Sequence, residues 1–326
     1  NDGVRVCLRP DLTIPTCLYY LDHGYTGEKK LFSYFGKVFQ FHGEDSNEAF
    51  EYSQAGIESI GDEDKINSDV EVFCKISDAL QEEGLKNYNT YFGDVSLFRE
   101  FIKVLDIADL WKEKLLEKFW NDNEFKDLLA TISKKKKLSD DFSRKIYSLD
   151  KESAEDLVRG TINAVDESSY AGRSVEEITD RLRQKGEEFS IDPLSSDSEK
   201  LIRDFLSISD QPIKALDKLK KLCKSLDISL LEKIEETVVR FEKIQNLGVN
   251  LNKAIFSPEK GRDVEYYTGF LFDFVGKSNS ENLYIGGGGR YDGLIKSLGS
   301  KLSIPAVGAA LNMKRVERFS NMESLR

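Results

Sequence analysis

Histidine is almost absent from this chain: His23 and His42 stand alone among 326 residues, and neither lies at a nucleophile spacing from a cysteine or serine. General-base catalysis of the Ser/His or Cys/His kind is therefore not written here, and both histidines read as surface or core residues. Cysteine is scarce as well. Cys7, Cys17, Cys74 and Cys223 are widely separated, form no CxxC and have no histidine pair nearby, which excludes a structural zinc and fits reduced thiols in a cytoplasmic protein. No segment approaches the ~20 apolar residues of a bilayer span, so no membrane role is expected. Positive charge is also in deficit: 47 Lys and Arg against 58 Asp and Glu leave a net charge of -11 and a pI near 5.0. A protein whose main work is to grip nucleic acid needs clustered cations, so that class is excluded. The one basic run, Lys134 to Lys137, has no interleaved aromatics and reads as solvated surface.

What is present is an ordinary globular composition, 40% apolar and 11% aromatic, in a chain longer than a single core usually needs. Strand signals at Leu31 to Phe41, Phe50 to Ile60 and Asn89 to Gly93 alternate with helices, and strands return at Ala254 to Phe256, Phe270 to Val275, Leu283 to Ile285 and Ala306 to Leu311. Val4 to Leu8 also reads as a strand, opening the chain as if in the middle of a domain, so a preceding segment is expected. Between about 107 and 250 the composition turns to Lys, Glu, Asp and Leu, with Pro193 and Pro212 as the breakers, and helices dominate. The organisation expected is an α+β core of residues 1–106 and 251–326 with a helical insertion at 107–250. Two helices are well marked. One spans about Asp69 to Glu83, with Ser68 and Glu71 at capping-box spacing, an apolar stripe of Val70, Phe73, Ile76 and Leu80, and a stop at Gly84. The other, Leu231 to Leu247, carries Ile234, Val238, Phe241 and Ile244 on one face before Gly248.

Four stretches hold the candidate chemistry. Gln54 and Glu58 project from one face of a strand, roughly 13 Å apart at Cα, and could hold opposite ends of a small zwitterion; taken alone, the pair reads as polar residues on a half-solvated strand. Asp11 and Thr13, in Arg9-Pro10-Asp11-Leu12-Thr13, offer acceptors for an ammonium group or a cap for a helix beginning near Ile14. Arg262, Tyr266 and Tyr267 offer a guanidinium for a carboxylate and a phenol for an imidazole nitrogen, with Tyr266 expected in the core. Gly286 to Gly289, before Arg290-Tyr291-Asp292, satisfies neither the Walker nor the dinucleotide spacing and indicates close backbone approach where a strand meets a helix.

In combination and in order, these stretches resemble the class II catalytic domain of histidyl-tRNA synthetase, and within that superfamily most closely the synthetase-like regulatory subunits of ATP phosphoribosyltransferase. The resemblance is clear over residues 1–105 and 250–318. It implies a class II synthetase-like antiparallel sheet flanked by helices. It also implies a histidine pocket in which Asp11 and Thr13 meet the ammonium, Gln54 and Glu58 the amino group and imidazole, Arg262 the carboxylate, and Tyr267 the imidazole. At the place of the synthetases' α-phosphate arginine stands Gln40, followed by the acidic loop Phe41 to Glu48, while Arg315 matches the remaining nucleotide arginine. Losing one preorganised cation from such a site costs on the order of 3 kcal/mol of transition-state stabilisation. Only eleven residues follow Arg315, too few for an anticodon-binding domain. The resemblance therefore implies a non-catalytic regulatory subunit that needs no cofactor, forms a homodimer through its core and assembles with the catalytic subunit of a short-form ATP phosphoribosyltransferase. L-histidine is the implied ligand and feedback signal. The alternative is a histidyl-tRNA synthetase relative that activates histidine with ATP; a third reading is a scaffold with a vestigial pocket.

Overall fold

The computed structural model describes residues 3, 6–41, 50–134, 141–163, 174–261, 266–277 and 282–324. Lys135 to Lys137 of the lysine run, His42 and the acidic positions after it, and Arg262 lie outside the described residues.

Helix α1 (Thr13–Asp22) is followed by β1 (Lys30–Phe39), β2 (Glu51–Ile60), α2 (Lys65–Glu82), β3 (Tyr88–Asp94) and α3 (Val95–Val104). Then come the helices α4 (Asp109–Lys118), α5 (Asp122–Ile132), α6 (Asp141–Ser148), α7 (Lys151–Asn163), α8 (Val175–Ser190), α9 (Ser196–Ser207), α10 (Pro212–Leu222) and α11 (Ile228–Asn246). The chain closes with β4 (Ile255–Phe256), β5 (Phe270–Lys277), β6 (Asn282–Arg290), α12 (Leu294–Ser297), β7 (Ala306–Asn312) and α13 (Met313–Ser324). Among the described residues the strands form one sheet in the order β1-β2-β7-β6-β5-β3-β4. Every pairing is antiparallel except the short β3/β4 contact.

The chain divides into two compact units, Asn1–Val104 with Arg203–Arg326, and Leu105–Ile202. In the second unit α6, α7 and α8 close on Ile146, Ala154 and Val158, and α6 crosses α8 where Gly186 leaves space, since a Cβ there would stand 2.2 Å from Ser143 O. Composition suggests one helical insertion up to residue 250, but α10 and α11 belong to the first unit. For α11 the reason is aromatic packing: Phe241 meets Phe92 at 4.9 Å and Phe256 at 5.9 Å, beside Phe73 of α2, which meets Phe92 at 5.1 Å and Phe272 at 5.0 Å. These buried rings fasten two helices to the sheet, and a helix pattern alone does not say which body its apolar stripe will meet.

Other local expectations need correction. Val6 and Leu8 are exposed and outside any strand; a ladder requires a partner, and the backbone bonds to β1 at Arg9, whose carbonyl accepts from Phe39 N at 2.9 Å. Helix α2 starts a turn earlier than its Ser/Glu pattern suggests, because Asp64 caps it by accepting from Asn67 N at 3.1 Å, while Ser68 sits inside the helix bonded to Lys65 O. The four glycines lie within β6 and not at a strand-to-helix junction. A Cβ on Gly288 would come within 2.2 Å of Gly308 O, and one on Gly289 within 2.9 Å of the Tyr267 ring. They thin the sheet where β6 meets β7 and where a tyrosine lies on top of it.

Beneath the sheet, α2 and α11 are joined to the end of β6 by buried charges. Arg290 donates to Asp69 Oδ1 at 2.9 Å, Asp292 Oδ1 at 2.9 Å and Ser68 Oγ at 2.7 Å, and Arg240 pairs with Asp69 Oδ2 at 2.9 Å and Asp94 Oδ2 at 3.4 Å. Asp69 is fully buried and both guanidiniums are nearly so.

Candidate functional site

On the other face of the sheet, alternation along β2 sends Tyr52, Gln54, Gly56 and Glu58 to one side, all of them buried. A half-solvated strand is not what the pair Gln54 and Glu58 makes; α1 covers it. Thr13, the first residue of α1, donates its hydroxyl to Glu58 Oε1 at 2.8 Å, and Leu12 N donates to Gln54 Oε1 at 2.9 Å. Asp11 Oδ1 accepts from Ile14 N at 3.1 Å, so the residue offered as an ammonium acceptor also caps the helix.

Glu58 is the centre of this arrangement. Its carboxylate lies over Gly308, directly opposite in β7, where a Cβ would collide with it. Besides Thr13 it accepts from Tyr34 OH at 3.0 Å and, by a short contact, from Tyr291 OH. Burial raises both tyrosines, so all three hydroxyls keep their protons and act as donors. No cation reaches Glu58 among the described residues, and burial outweighs the hydroxyls, pushing its pKa up to about 7. Cys17, packed below, is pushed up to about 12 by burial and is no nucleophile.

The sign of that shift makes a stability prediction. From the ordinary 4.5 to about 7 the folded protein holds a proton that the unfolded chain has released. Stability from Glu58 is therefore complete below pH 4.5 and is lost as pH rises through about 7, a total of ~3 kcal/mol for a shift of this size. Urea titrations between those limits, wild type against Glu58→Gln, check it; parallel curves would show a carboxylate ionised throughout the range.

A cavity of about 250 Å³ opens beside Glu58. It brings together Asp11, Thr13, Gln54, Tyr266 and Tyr267 with the two nucleotide-side positions, Gln40 and Arg315. Arg262 is outside the described residues. Tyr266, expected in the core, is 39% exposed; Tyr267 instead packs into the cluster around Cys17, Tyr20 and Tyr291, with the two rings edge-on at 4.9 Å. The half that would face a nucleotide is thin in cations. Gln40 is neutral and reaches Pro10 O at 3.4 Å, and Arg315 donates to Tyr284 O at 3.2 Å. A larger cavity, about 750 Å³, opens against Asp94, Arg240, Arg290 and Asp292, whose charges are paired with one another.

Sequence reasoning does not find Tyr34, Tyr291 or Gly308. A signal for the first exists in hindsight of the register: Gly56 stands opposite Tyr34, and a Cβ there would lie 2.4 Å from the Tyr34 hydroxyl, so the glycine between Gln54 and Glu58 is the gap through which Tyr34 crosses. Tyr291 lies just past the end of β6, 233 residues further along the chain, and has no local sign.

Comparison with known proteins bears on the family and the fold. The family model for histidyl-tRNA synthetase matches residues 2–198 and 187–316. Among curated relatives, the ATP phosphoribosyltransferase regulatory subunit of Rhizobium rhizogenes is 30% identical over 330 residues, spanning 97% of this chain and 84% of the relative. That of Agrobacterium fabrum is 30% identical over 320 residues, spanning 97% and 83%. Among solved structures, an ATP phosphoribosyltransferase regulatory subunit/histidyl-tRNA synthetase from Bacillus halodurans superposes with a TM-score of 0.59 at 18% identity, over 95% of this chain and 64% of that one. A histidine–tRNA ligase subunit from Alicyclobacillus acidocaldarius gives 0.51 at 20% identity, over 98% and 77%. A class II synthetase-like sheet and relatives matched over nearly the whole chain lead to one conclusion: the chain belongs to the family of ATP phosphoribosyltransferase regulatory subunits, built on the histidyl-tRNA synthetase fold.

Proposed function

We propose that this chain serves histidine biosynthesis as the non-catalytic regulatory subunit of a short-form ATP phosphoribosyltransferase. It assembles with the separate catalytic subunit in the cytoplasm, activates it and helps transmit feedback inhibition by L-histidine. The observation that carries this reading is the asymmetry of one cavity. Its inner wall is formed by Asp11, Thr13, Gln54, Tyr267 and Tyr291, and directly behind that wall lies a buried carboxylate, Glu58, held by Thr13, Tyr34 and Tyr291; its outer half has Gln40 where an α-phosphate would need a cation. Such an arrangement suits a small zwitterion bearing an imidazole and gives little to a triphosphate.

A ligand pocket relieved of catalysis can still regulate, provided the ligand binds one state of the assembly better than another. Homodimerisation through the sheet-bearing unit and a larger hetero-oligomer belong to the same proposal. The deciding experiment mixes the protein with a short-form catalytic subunit and follows phosphoribosyl transfer with and without histidine. Activation on mixing, reversed by histidine, is expected; a catalytic subunit indifferent to this chain would end the proposal. Histidine-dependent exchange of pyrophosphate into ATP by this chain alone would favour the synthetase reading instead.

A further inference from the structure

Strand β6 changes face at Ile285. In its ladder with β5, Gly286 pairs with Phe274 but Tyr284 pairs with Val275, so one extra residue is accommodated on β6. In a regular strand, residues 284 and 287 would point to opposite faces; the bulge reverses the alternation and brings Tyr284 onto the cavity side, where both line the same space. Gly287 leaves room for it, since a Cβ at that position would stand 2.9 Å from the Tyr284 hydroxyl. From the start of α13, Arg315 donates to Tyr284 O at 3.2 Å and holds its guanidinium 5.9 Å from the centre of the ring. A bulge, a glycine and an arginine thus act together on one aromatic side chain.

We propose that Tyr284 determines the specificity of the cavity: its ring takes the stacking place beside Arg315 that a flat heteroaromatic base would need, so the pocket admits an amino acid and turns away a nucleotide. The cavity of about 250 Å³ is below the range of ~300–1,000 Å³ typical of sites for larger ligands, in keeping with a space closed from within. A guanidinium already facing an aromatic ring has that face engaged, and a second ring can stack there only by displacing the first. The inference rests on the amino-acid reading of the inner half.

The test is calorimetric titration of adenosine monophosphate, and separately of L-histidine, into wild type, Tyr284→Ala, Tyr284→Thr and Tyr284→Phe. Removal of the ring is expected to tighten adenosine monophosphate binding about tenfold or more, as a vacated cation–π partner allows. Tyr284→Phe, which keeps the ring, should behave as wild type. Tyr284→Thr retains a residue suited to a strand and guards against a misfolded alanine variant. Unchanged nucleotide binding in both ring-less variants, or nucleotide binding by wild type as tight as theirs, would overturn the assignment. Absence of histidine binding in wild type would count against the amino-acid pocket, whereas the nucleotide comparison alone decides the role of Tyr284.

Discussion

Above pH 7, where the Glu58 carboxyl is ionised, Glu58→Gln is expected to weaken histidine binding on the order of 10- to 100-fold, because a hydrogen bond to a charged group is worth about 1.5–3 kcal/mol and the substitution removes the charge while keeping the shape. The amide oxygen can still accept from Thr13 and Tyr34, which now hold the carboxylate at 2.8 and 3.0 Å, so the fold around α1 should persist. Glu58→Ala goes further and leaves three buried hydroxyls without their acceptor, each unsatisfied group costing about 1–3 kcal/mol. The glutamine variant is therefore the cleaner probe of binding and the alanine variant the more severe one. Isothermal titration with histidine, together with co-purification of the catalytic subunit, separates the two effects. Undiminished histidine affinity in the glutamine variant would mean that the carboxylate serves only its three hydroxyl partners. Loss of co-purification in that same variant would make Glu58 a structural residue of the assembly.

The largest effect on stability is expected on the opposite face of the sheet. Arg290→Ala should destabilise the protein by about 3–5 kcal/mol, the usual cost of removing one partner from a buried ion pair and leaving the other uncompensated. Asp69, fully buried, would retain Arg240 at 2.9 Å but lose the guanidinium that holds its Oδ1, and Asp292 would lose a partner at 2.9 Å. Ser68 and Lys65 O would lose their donor as well. Since Tyr291 follows directly and carries the hydroxyl that reaches Glu58, the proposed histidine site should loosen with it. Urea unfolding measures the first effect, and a loss below about 1 kcal/mol would show that water replaces the guanidinium at little cost.

Much of the helical framework is legible in the sequence because its causes are local. Val70, Phe73, Ile76 and Leu80 form a stripe at helical spacing and all are buried in α2, and Gly84 and Gly248 end their helices with φ of +82° and +89°. The start of α2 is less legible: Ser68 and Glu71 imitate a cap, and Asp64 takes the role because the helix extends one turn further back. The site is legible only in pieces. Asp11, Thr13, Gln54, Glu58 and Tyr267 can be singled out by residue type and spacing, yet the reason Glu58 is unusual lies in Gly308, opposite it in β7, and in Tyr34 and Tyr291. Tyr284 escapes notice because regular alternation would aim it elsewhere.

The sequence by itself determined the residue types of the cavity, the neutral Gln40 in place of a cation, and the helices whose apolar stripes repeat every three to four positions. Those are matters of covalent order and of contacts within a turn or two. Only the tertiary structure decided that α10 and α11 pack with the sheet, that three hydroxyls from distant segments converge on one buried carboxylate, and that a bulge turns Tyr284 to the cavity side. Register and burial set these outcomes, and both depend on which strand lies beside which, a property that no local pattern of residues carries.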